Sequence, residues 1–225
     1  YGLAVGKYPV TFAEWDASEP GRARRANDEG WGRGSRPVIN VSWDDAQAYA
    51  AWLRKLTGKP YRLLTEAEWE YACRAGTAAP FWTGPSIASD RANFDDRRGW
   101  KGDSGTVEAI SAHVARTVQY KSLFRGQTTP VETFPANAFG LHDMHGNVWQ
   151  WVEDAWHPAY DGAPADGAAW PGGDPALRVL RGGSWRMGPA ALRSAHRYPR
   201  QARHRSDHVG FRVARAVAAA ELAPP

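Results

Sequence analysis

The sequence contains one cysteine, Cys73, among its 225 residues, so it cannot form an internal disulfide and its fold needs no oxidising compartment. No run of apolar residues approaches the length that spans a membrane, and we recognise no signal peptide, so we expect no membrane insertion. The cellular location stays open between cytoplasmic and surface-displayed.

A strong charge of either sign is also missing. The 28 lysines and arginines stand against 24 aspartates and glutamates, which gives a formal net charge of +4. Phosphate backbones are bound by concentrated positive charge, and this excess is modest. We therefore expect no nucleic-acid partner.

Aromatic and turn-forming residues are abundant. The chain has 12 tryptophans, 23 glycines and 16 prolines, and 43% of its residues are hydrophobic. This composition predicts a rigid aromatic core with many turns rather than a helical bundle. We expect one domain over residues 1–215 and an Ala/Pro-rich tail over residues 216–225 that frays. Because the chain opens at Tyr1 without a methionine, we interpret it as a fragment or a domain of a longer protein.

Two helices are predicted from capping residues and periodicity. Ser42 followed by Asp45 approximates a capping box, and the apolar positions after it recur at helical spacing until Gly58. Thr65 and Glu68 begin a second helix, for which Gly76 is the predicted C-cap. Cys73 falls on this second helix, and we interpret it as a small buried residue rather than a reactive thiol.

The remaining segments predict short strands and long loops. Core strands are expected at residues 38–41, 179–180 and 211–213. Residues 95–128 are polar and poorly periodic, which indicates a surface insertion with a short helix near residues 108–114. Residues 155–176 are rich in Pro, Gly, Ala and Asp and predict a second loop.

Five short motifs identify a family. They are the eight residues LTEAEWEY from Leu64, GNVWQW from Gly146, RGGSW from Arg181, RSAHR from Arg193 and VGFR from Val209. Together they resemble the formylglycine-generating enzyme, or sulfatase-modifying factor, family. The resemblance implies an α+β, C-type lectin-like fold with two main helices, small twisted antiparallel sheets and long ordered loops.

The catalytic residues of that family are missing. Its enzymes use a pair of cysteines just after the Gly-Gly-Ser-aromatic turn, and residues 186–192 read Arg-Met-Gly-Pro-Ala-Ala-Leu here. We therefore predict no catalysis and no catalytic residues.

The resemblance also implies a calcium site. In the family, a side chain at the position of Asp143, carbonyls at Gly146 and Val148 and a carboxylate at Gln150 bind the ion. Gln150 can still offer a carbonyl oxygen but removes one negative charge, which should weaken calcium binding. The alternatives are a structural calcium ion and a tight turn without an ion.

Other polar residues give weaker signals. A second family calcium site would start at Asn93-Phe94, but its distal aspartate falls where this chain has Leu123, so we do not predict it. We interpret three nearby acids as solvated loop charges: Asp95, Asp96 and Asp103. Several further side chains could suit a metal but lack a third soft ligand, so hydrogen-bonding or surface roles are expected for them: His142, His145, Glu153, Asp154 and His157.

The predicted ligand face is the segment 186–208, which combines six arginines, three histidines and one tyrosine with a single acidic residue. In the resembling fold this segment lines the face where the enzymes hold a substrate peptide. Arginine, histidine and aromatic side chains are typical of protein recognition, so we expect a protein or peptide ligand. The expected ligand-binding residues are Arg186, Met187, His196, Tyr198, Arg200, Gln201, His204, Ser206, Asp207 and His208.

One subgroup of the family makes this face variable. The variable proteins of diversity-generating retroelements carry their altered positions between Gly-Gly-Ser-Trp and Gly-Phe-Arg, where asparagine codons are mutated at adenines. His196 and Tyr198 occupy two such positions of the Arg-Ser-Ala-x-Arg-x pattern, and residues 206–208 also fit. Met187, Pro199 and Gln201 do not fit an altered asparagine codon.

Two other functions stay open. One is a metal-dependent oxidoreductase related to formylglycine-generating enzyme or to sulfoxide synthases, which would need a bound iron or copper. The other is a regulatory or sensor domain of a larger protein.

Overall fold

Two β-sheets form the frame of the computed structural model, which describes residues 2–98, 123–218 and 221. The first sheet has the order β1-β7-β2 and is antiparallel throughout. The second has the order β5-β4-β3-β6, and its β3–β6 pair is parallel, which differs from the predicted antiparallel sheets. The strands are β1 Gly2–Val5, β2 Tyr61–Leu63, β3 Trp149–Trp156, β4 Asp174–Arg181, β5 Arg197–Gln201, β6 Val209–Phe211 and β7 Val213–Val217.

Within the described residues, four helices accompany the sheets: α1 Phe12–Ala17, α2 Glu19–Ala23, α3 Trp43–Thr57 and α4 Glu66–Arg74. The predicted capping boxes at the starts of α3 and α4 are confirmed, and α3 ends at Gly58 as predicted. Gly58 takes the left-handed conformation there. The C-cap of α4 is Ala75 rather than the predicted Gly76, and Ala75 itself takes the left-handed conformation at φ 46°. Two 3-10 turns span Asp96–Arg98 and Pro189–Leu192.

The four-stranded sheet separates two parts of the core. Because neighbouring residues of a strand point to opposite faces, Trp149 and Trp151 of β3 pack with α1, α3 and β6. Val152 and Val179 face the other way and pack against α4 through Trp69. Cys73 is fully buried in this second part, as predicted.

Two predicted strands are built differently. Residues 38–41 lie outside the strands although Val38, Ile39 and Val41 are buried, because Asn40 takes a left-handed φ of 59° that interrupts extended pairing. Residues 211–213 are shared between β6 and β7, with Arg212 between them. The predicted strand at residues 179–180 is confirmed as part of β4.

The predicted loop boundaries also move. β7 continues to Val217, so the first two residues of the predicted tail pair with β1. Asp95 is buried and bound by Arg97 and Arg98, so its interpretation as a solvated charge is wrong. The helix predicted near residues 108–114 and the charge at Asp103 lie outside the described residues.

A buried ion network joins α4 to the four-stranded sheet. Glu66 accepts two hydrogen bonds from the guanidinium of Arg197, at 2.5 and 2.8 Å, and lies 3.7 Å from Arg181. Arg181 is fully buried and also contacts Glu70. Buried guanidinium groups need carboxylate partners, because a buried charge without a partner strongly destabilises the folded state.

We predict that Glu66→Gln lowers the free energy of unfolding by about 3–5 kcal/mol, because Arg197 and Arg181 then lose their shared counter-charge. Urea unfolding followed by tryptophan fluorescence measures the change. Glu132→Gln is the matched control, since its ion pair with Lys7 lies at the surface, and it should leave the unfolding midpoint unchanged. Equal midpoints for the two variants would contradict the assignment.

Candidate ligand-binding face

The segment 186–208 passes from one edge of the four-stranded sheet to the other. It leaves the turn at Trp185, forms the edge strand β5 and then returns to β6 at the opposite edge. Backbone hydrogen bonds fix the returning part, because the carbonyls of Ala202, Ser206 and His208 accept from Trp43, Asn40 and Trp149 respectively. The segment is therefore an ordered surface on a rigid support, which we call the 186–208 face.

Trp149 forms the floor of this face. Its ring stacks under Tyr198, with centroids 5.4 Å apart and planes 21° from parallel, and lies 5.7 Å from His196. The guanidinium of Arg200 lies over the Tyr198 ring, 4.0 Å from its centroid. The indole N–H of Trp149 is buried without a hydrogen-bond partner, which is an uncommon state for such a group.

Asp207 organises the opposite end of the face. Its carboxylate lies 2.7 Å from His208 Nδ1 and 3.3 Å from the guanidinium of Arg186. Its backbone carbonyl accepts from the indole of Trp185 at 3.2 Å. Although burial alone would raise it, the pKa of Asp207 is lowered by the hydrogen bond with His208, so the carboxylate is charged at neutral pH.

The three histidines of the face are held in their neutral form. Burial lowers the pKa of His196 to about 4, and the charges of Arg193 and Arg181 lower it further. Burial also lowers the pKa of His204, helped by Arg200, and the pKa of His208 despite its partner Asp207. These side chains offer neutral hydrogen-bonding groups among permanent arginine charges.

Every predicted ligand residue reaches the surface. Arg186 and Gln201 are exposed, and the other eight are half-buried. Contacts link six of them in two groups. Arg186, Asp207 and His208 form one group, and Arg200, Tyr198 and, through Trp149, His196 form the other. Met187 instead packs inward against two core clusters and lies at the edge of the face.

Sequence reasoning missed the aromatic residues that support this face. Trp185 packs edge-on against Trp31 at 5.4 Å and lies 5.8 Å from Phe124. The sequence could have predicted Trp149 as the floor from the spacing of Trp149 and Trp151 around Gln150. A strand places residues two positions apart on the same face. Trp31 and Phe124 come from distant loops, and no local pattern assigns them to this place.

Cys73 and His145 lie close together without forming a reactive pair. The thiol is 3.7 Å from His145 Nδ1 and donates to Ser194 Oγ at 3.4 Å. Both imidazole nitrogens are already used, since Nδ1 donates to the Leu192 carbonyl and Nε2 accepts from the backbone of Trp82. Burial raises the pKa of Cys73 to about 12, so a thiolate does not form at neutral pH.

The turn predicted to bind calcium fits the ion only in part. Asp143 is buried, and its Oδ2 has no hydrogen-bond partner. Gln150 does not fit a ligand role, because its Oε1 already accepts from Trp69 at 3.0 Å and from the positively charged Arg212 at 3.1 Å. Gly146 takes a left-handed φ of 78°, and a Cβ there would lie 2.4 Å from the Asn93 carbonyl, so the turn is tightly packed. Val148 is buried beside it.

Other candidate metal ligands have structural partners. His142 Nδ1 bonds the Phe134 carbonyl at 2.8 Å, Asp154 accepts from the backbones of Glu66 and Trp170, and His157 stacks on Trp170. Within residues 2–98, 123–218 and 221, no group of three His, Cys, Asp or Glu side chains is arranged to hold a metal ion.

The fold and these motifs agree with known relatives. A family model described as the sulfatase-modifying factor enzyme 1-like domain matches residues 2–217. The serine/threonine-protein kinase pkn1 of Chlamydia caviae is 35% identical over 190 residues, which cover 83% of this chain and 25% of the kinase. The formylglycine-generating enzyme of Mycobacterium tuberculosis is 34% identical over 197 residues, which cover 80% of this chain and 57% of the enzyme.

Solved structures show the same architecture. PvdO from Pseudomonas aeruginosa aligns with a TM-score of 0.73 at 35% identity, covering 96% of this chain and 80% of that chain. Treponema denticola variable protein 1 aligns with a TM-score of 0.70 at 23% identity, covering 95% and 84%, and this likeness concerns the fold alone.

These findings define an α+β domain of the C-type lectin-like, formylglycine-generating-enzyme type. The chain belongs to the sulfatase-modifying factor enzyme 1-like family. It spans between a quarter and a little over half of the length of the two curated relatives above. With only Cys73 present, it lacks the family's catalytic cysteine pair. Among its described residues, no helix is both long and apolar enough to cross a membrane.

Asp143 provides a test of the turn. Burial raises its pKa from 3.8 to about 6, so the folded chain binds the proton more tightly than the unfolded chain does, and this group makes stability fall as pH rises from 4 to 6. We predict that Asp143→Asn removes this slope. The variant should match the wild-type chain near pH 4 and exceed it at pH 8 by up to roughly 3 kcal/mol.

Unfolding in urea at several pH values, with and without millimolar calcium, measures this effect and tests the ion. Calcium stays a prediction of the family resemblance. A melting temperature that rises with calcium in the wild-type chain, but not in Asp143→Asn, would support the ion. A variant less stable than the wild-type chain at pH 8 without calcium would contradict the burial argument.

Proposed function

We propose that this chain is a non-catalytic binding domain that presents the 186–208 face to a protein or peptide ligand. The two groups of linked, surface-reaching side chains on that face are the observation that carries the proposal. Rigid frames commonly carry binding residues on their loops, and the buried arginines and tryptophans beneath this segment form such a frame.

The charges of the face favour an acidic ligand. Three of its arginines form ion pairs within the described residues: Arg186 with Asp207, Arg197 with Glu66 and Arg205 with Asp45. Arg200 and Arg203 reach the surface beside neutral histidines that can donate hydrogen bonds. Carboxylates suit such donors, because charge-assisted hydrogen bonds to arginine are strong and can be bidentate.

Absence of the cysteine pair supports a binding role over the family's oxidation chemistry. The enzymes of the family act through two thiols after the Gly-Gly-Ser-aromatic turn, and Met187 to Leu192 offer none here. A metal-dependent oxidoreductase would need a cluster of ligands, and the described residues do not supply one. Formation of formylglycine in a cysteine-containing peptide by the purified chain would overturn the non-catalytic assignment.

Variation of the face by a diversity-generating retroelement is a narrower version of this proposal. Its support is the fold shared with a Treponema variable protein and the location of His196, Tyr198 and residues 206–208 outside the buried frame. Sequencing of the encoding locus tests it. A near-copy of the codons for residues 184–212 that differs only at adenines, beside a reverse transcriptase, would support diversification, and its absence would leave a face of fixed specificity.

A second candidate is a regulatory or sensor domain of a larger protein. The observation that favours it is the kinase relative, of which the matched region is only 25%. Both candidate functions use the 186–208 face. They differ in whether the ligand is a separate molecule or part of the same larger protein. A ligand that is a segment of the same full-length protein would distinguish it.

We predict that Arg200→Ala combined with His204→Ala weakens peptide binding at least tenfold, because it removes a charge and a donor from the centre of the face. Phage-displayed random twelve-residue peptides panned on the wild-type chain provide the probes, and enriched peptides should be rich in Asp and Glu. Fluorescence anisotropy of labelled peptides gives the dissociation constants.

Lys55→Ala is the matched control for the lost charge. Lys55 lies near the end of α3, about 18 Å along the helix axis from Trp43, whose backbone contacts the face. Tyr198→Ala is not suitable, since Tyr198 also stacks on buried Trp149. No enriched peptide, or equal affinity for the double variant and the control, would overturn the proposal.

A further inference from the structure

A separate cavity of about 350 Å³ lies between α4 and the loop that joins β3 to β4. Strand alternation places it away from the 186–208 face, because Arg197 points toward α4 while its neighbour Tyr198 stacks on Trp149. The proposed function therefore leaves this cavity unexplained.

Three aromatic rings line the cavity. Tyr71 and Tyr160 are 66% and 52% exposed, which is high for rings of this size, and Trp170 belongs to the loop itself. Trp170 is fixed by stacking on His157 at 3.7 Å, and it lies 11° from parallel to Tyr160 with centroids 6.4 Å apart. The rings are thus oriented before any ligand arrives.

The charged side chains that line the cavity are mostly acidic. Glu66, Glu70 and Asp154 line it, against the single positive charge of Arg74. The guanidinium groups of Arg181 and Arg197, which balance these acids, lie outside the lining on the sheet side. The carboxylate oxygens of Asp154 accept from the backbone N–H groups of Glu66 and Trp170, at 2.6 and 2.8 Å.

One ring of the cavity already binds a cation. The guanidinium of Arg197 lies 4.2 Å from the centroid of Tyr160, and the same ring donates its hydroxyl to Glu66 at 3.1 Å. Small apolar side chains complete the lining, and they leave room for methyl groups but offer no hydrogen bonds: Ala67, Ala163, Pro164 and Ala168. A strongly hydrated metal ion does not suit such a wall.

We propose that this cavity binds a compact organic cation, an ammonium group that carries apolar substituents. The carboxylates supply the charge attraction, and Tyr71, Tyr160 and Trp170 supply aromatic surface for cation–π contact. One face of Tyr160 is already covered by Arg197, and one face of Trp170 is covered by His157. Weak to moderate affinity is expected, since Glu66 and Glu70 are shared with arginines of the ion network.

Choline and 3,3-dimethylbutan-1-ol are the probes, because they have the same shape and differ only in charge. Titration of the wild-type chain, followed by tryptophan fluorescence and calorimetry, should give a millimolar or tighter dissociation constant for choline. The neutral alcohol should bind at least tenfold more weakly. Equal binding of the two probes, or no choline binding at 100 mM, would overturn the proposal.

Ala67→Leu locates the site. Ala67 is exposed on α4 and lines the cavity, so leucine there fills the space without entering the core, and choline binding should be lost. Ala51→Leu makes the same change at an exposed position of α3 and should leave binding unchanged. Arg200→Ala with His204→Ala should also retain choline binding. Unaltered choline affinity in Ala67→Leu would place the cation elsewhere and contradict the assignment.

Discussion

The rest of the structure depends on one fully buried guanidinium, that of Arg212. It sits between β6 and β7, where the chain passes from one sheet to the other. Its nitrogens donate to the carbonyls of Gly6 and His142, both at 2.5 Å, and to Gln150 Oε1 at 3.1 Å. Burial lowers its pKa to about 10, so it still carries its charge at neutral pH. Because an unpartnered buried charge is costly, these elements must stay in register around it.

That constraint continues into the loops. Gln150, held by Arg212, accepts from Trp69 of α4 and donates to the Asp143 carbonyl, so the sheet, the helix and the turn share one polar group. Asn147 extends the arrangement, since its backbone N–H donates to the Asn93 carbonyl and its carbonyl accepts from Trp185. Long segments without regular secondary structure are thereby fixed by buried hydrogen bonds, which is how a loop-rich fold can present an ordered surface.

The sequence predicted the parts of this fold that local chemistry encodes. The boxes of Ser42 with Asp45 and Thr65 with Glu68 identify α3 and α4, because each capping side chain bonds within its own turn. The same signal, Thr11 with Glu14, was present before α1, but six residues are too few to show a helical period. Residues 38–41 were predicted as a strand because their apolar β-branched side chains are visible in the sequence, whereas the left-handed conformation of Asn40 is not.

The sites divide in the same way. The ten ligand residues were recognisable by type within one continuous segment, but their floor, Trp149, and the cavity beside α4 depend on contacts between residues far apart in the chain. Tyr160 meets Glu66 across 94 positions, and no local pattern encodes such a meeting. Asp95 shows the same limit, since it is buried and its backbone N–H donates to the carbonyl of Met187, which lies far along the chain.

The residues that identify the family belong to the buried frame. This explains how the chain can match the family although the catalytic cysteine pair is missing. In the Arg-Gly-Gly-Ser-Trp motif, Arg181 belongs to the ion network, and a Cβ at Gly182 would lie 2.9 Å from the Trp69 ring. Ser194 Oγ accepts a hydrogen bond from the Cys73 thiol, and Arg197 forms an ion pair with Glu66. Each of these residues contacts the buried frame whether or not two cysteines follow the turn. Many of the positions between them are exposed or half-buried, and these positions and the cavity behind α4 are where the proposals above place binding.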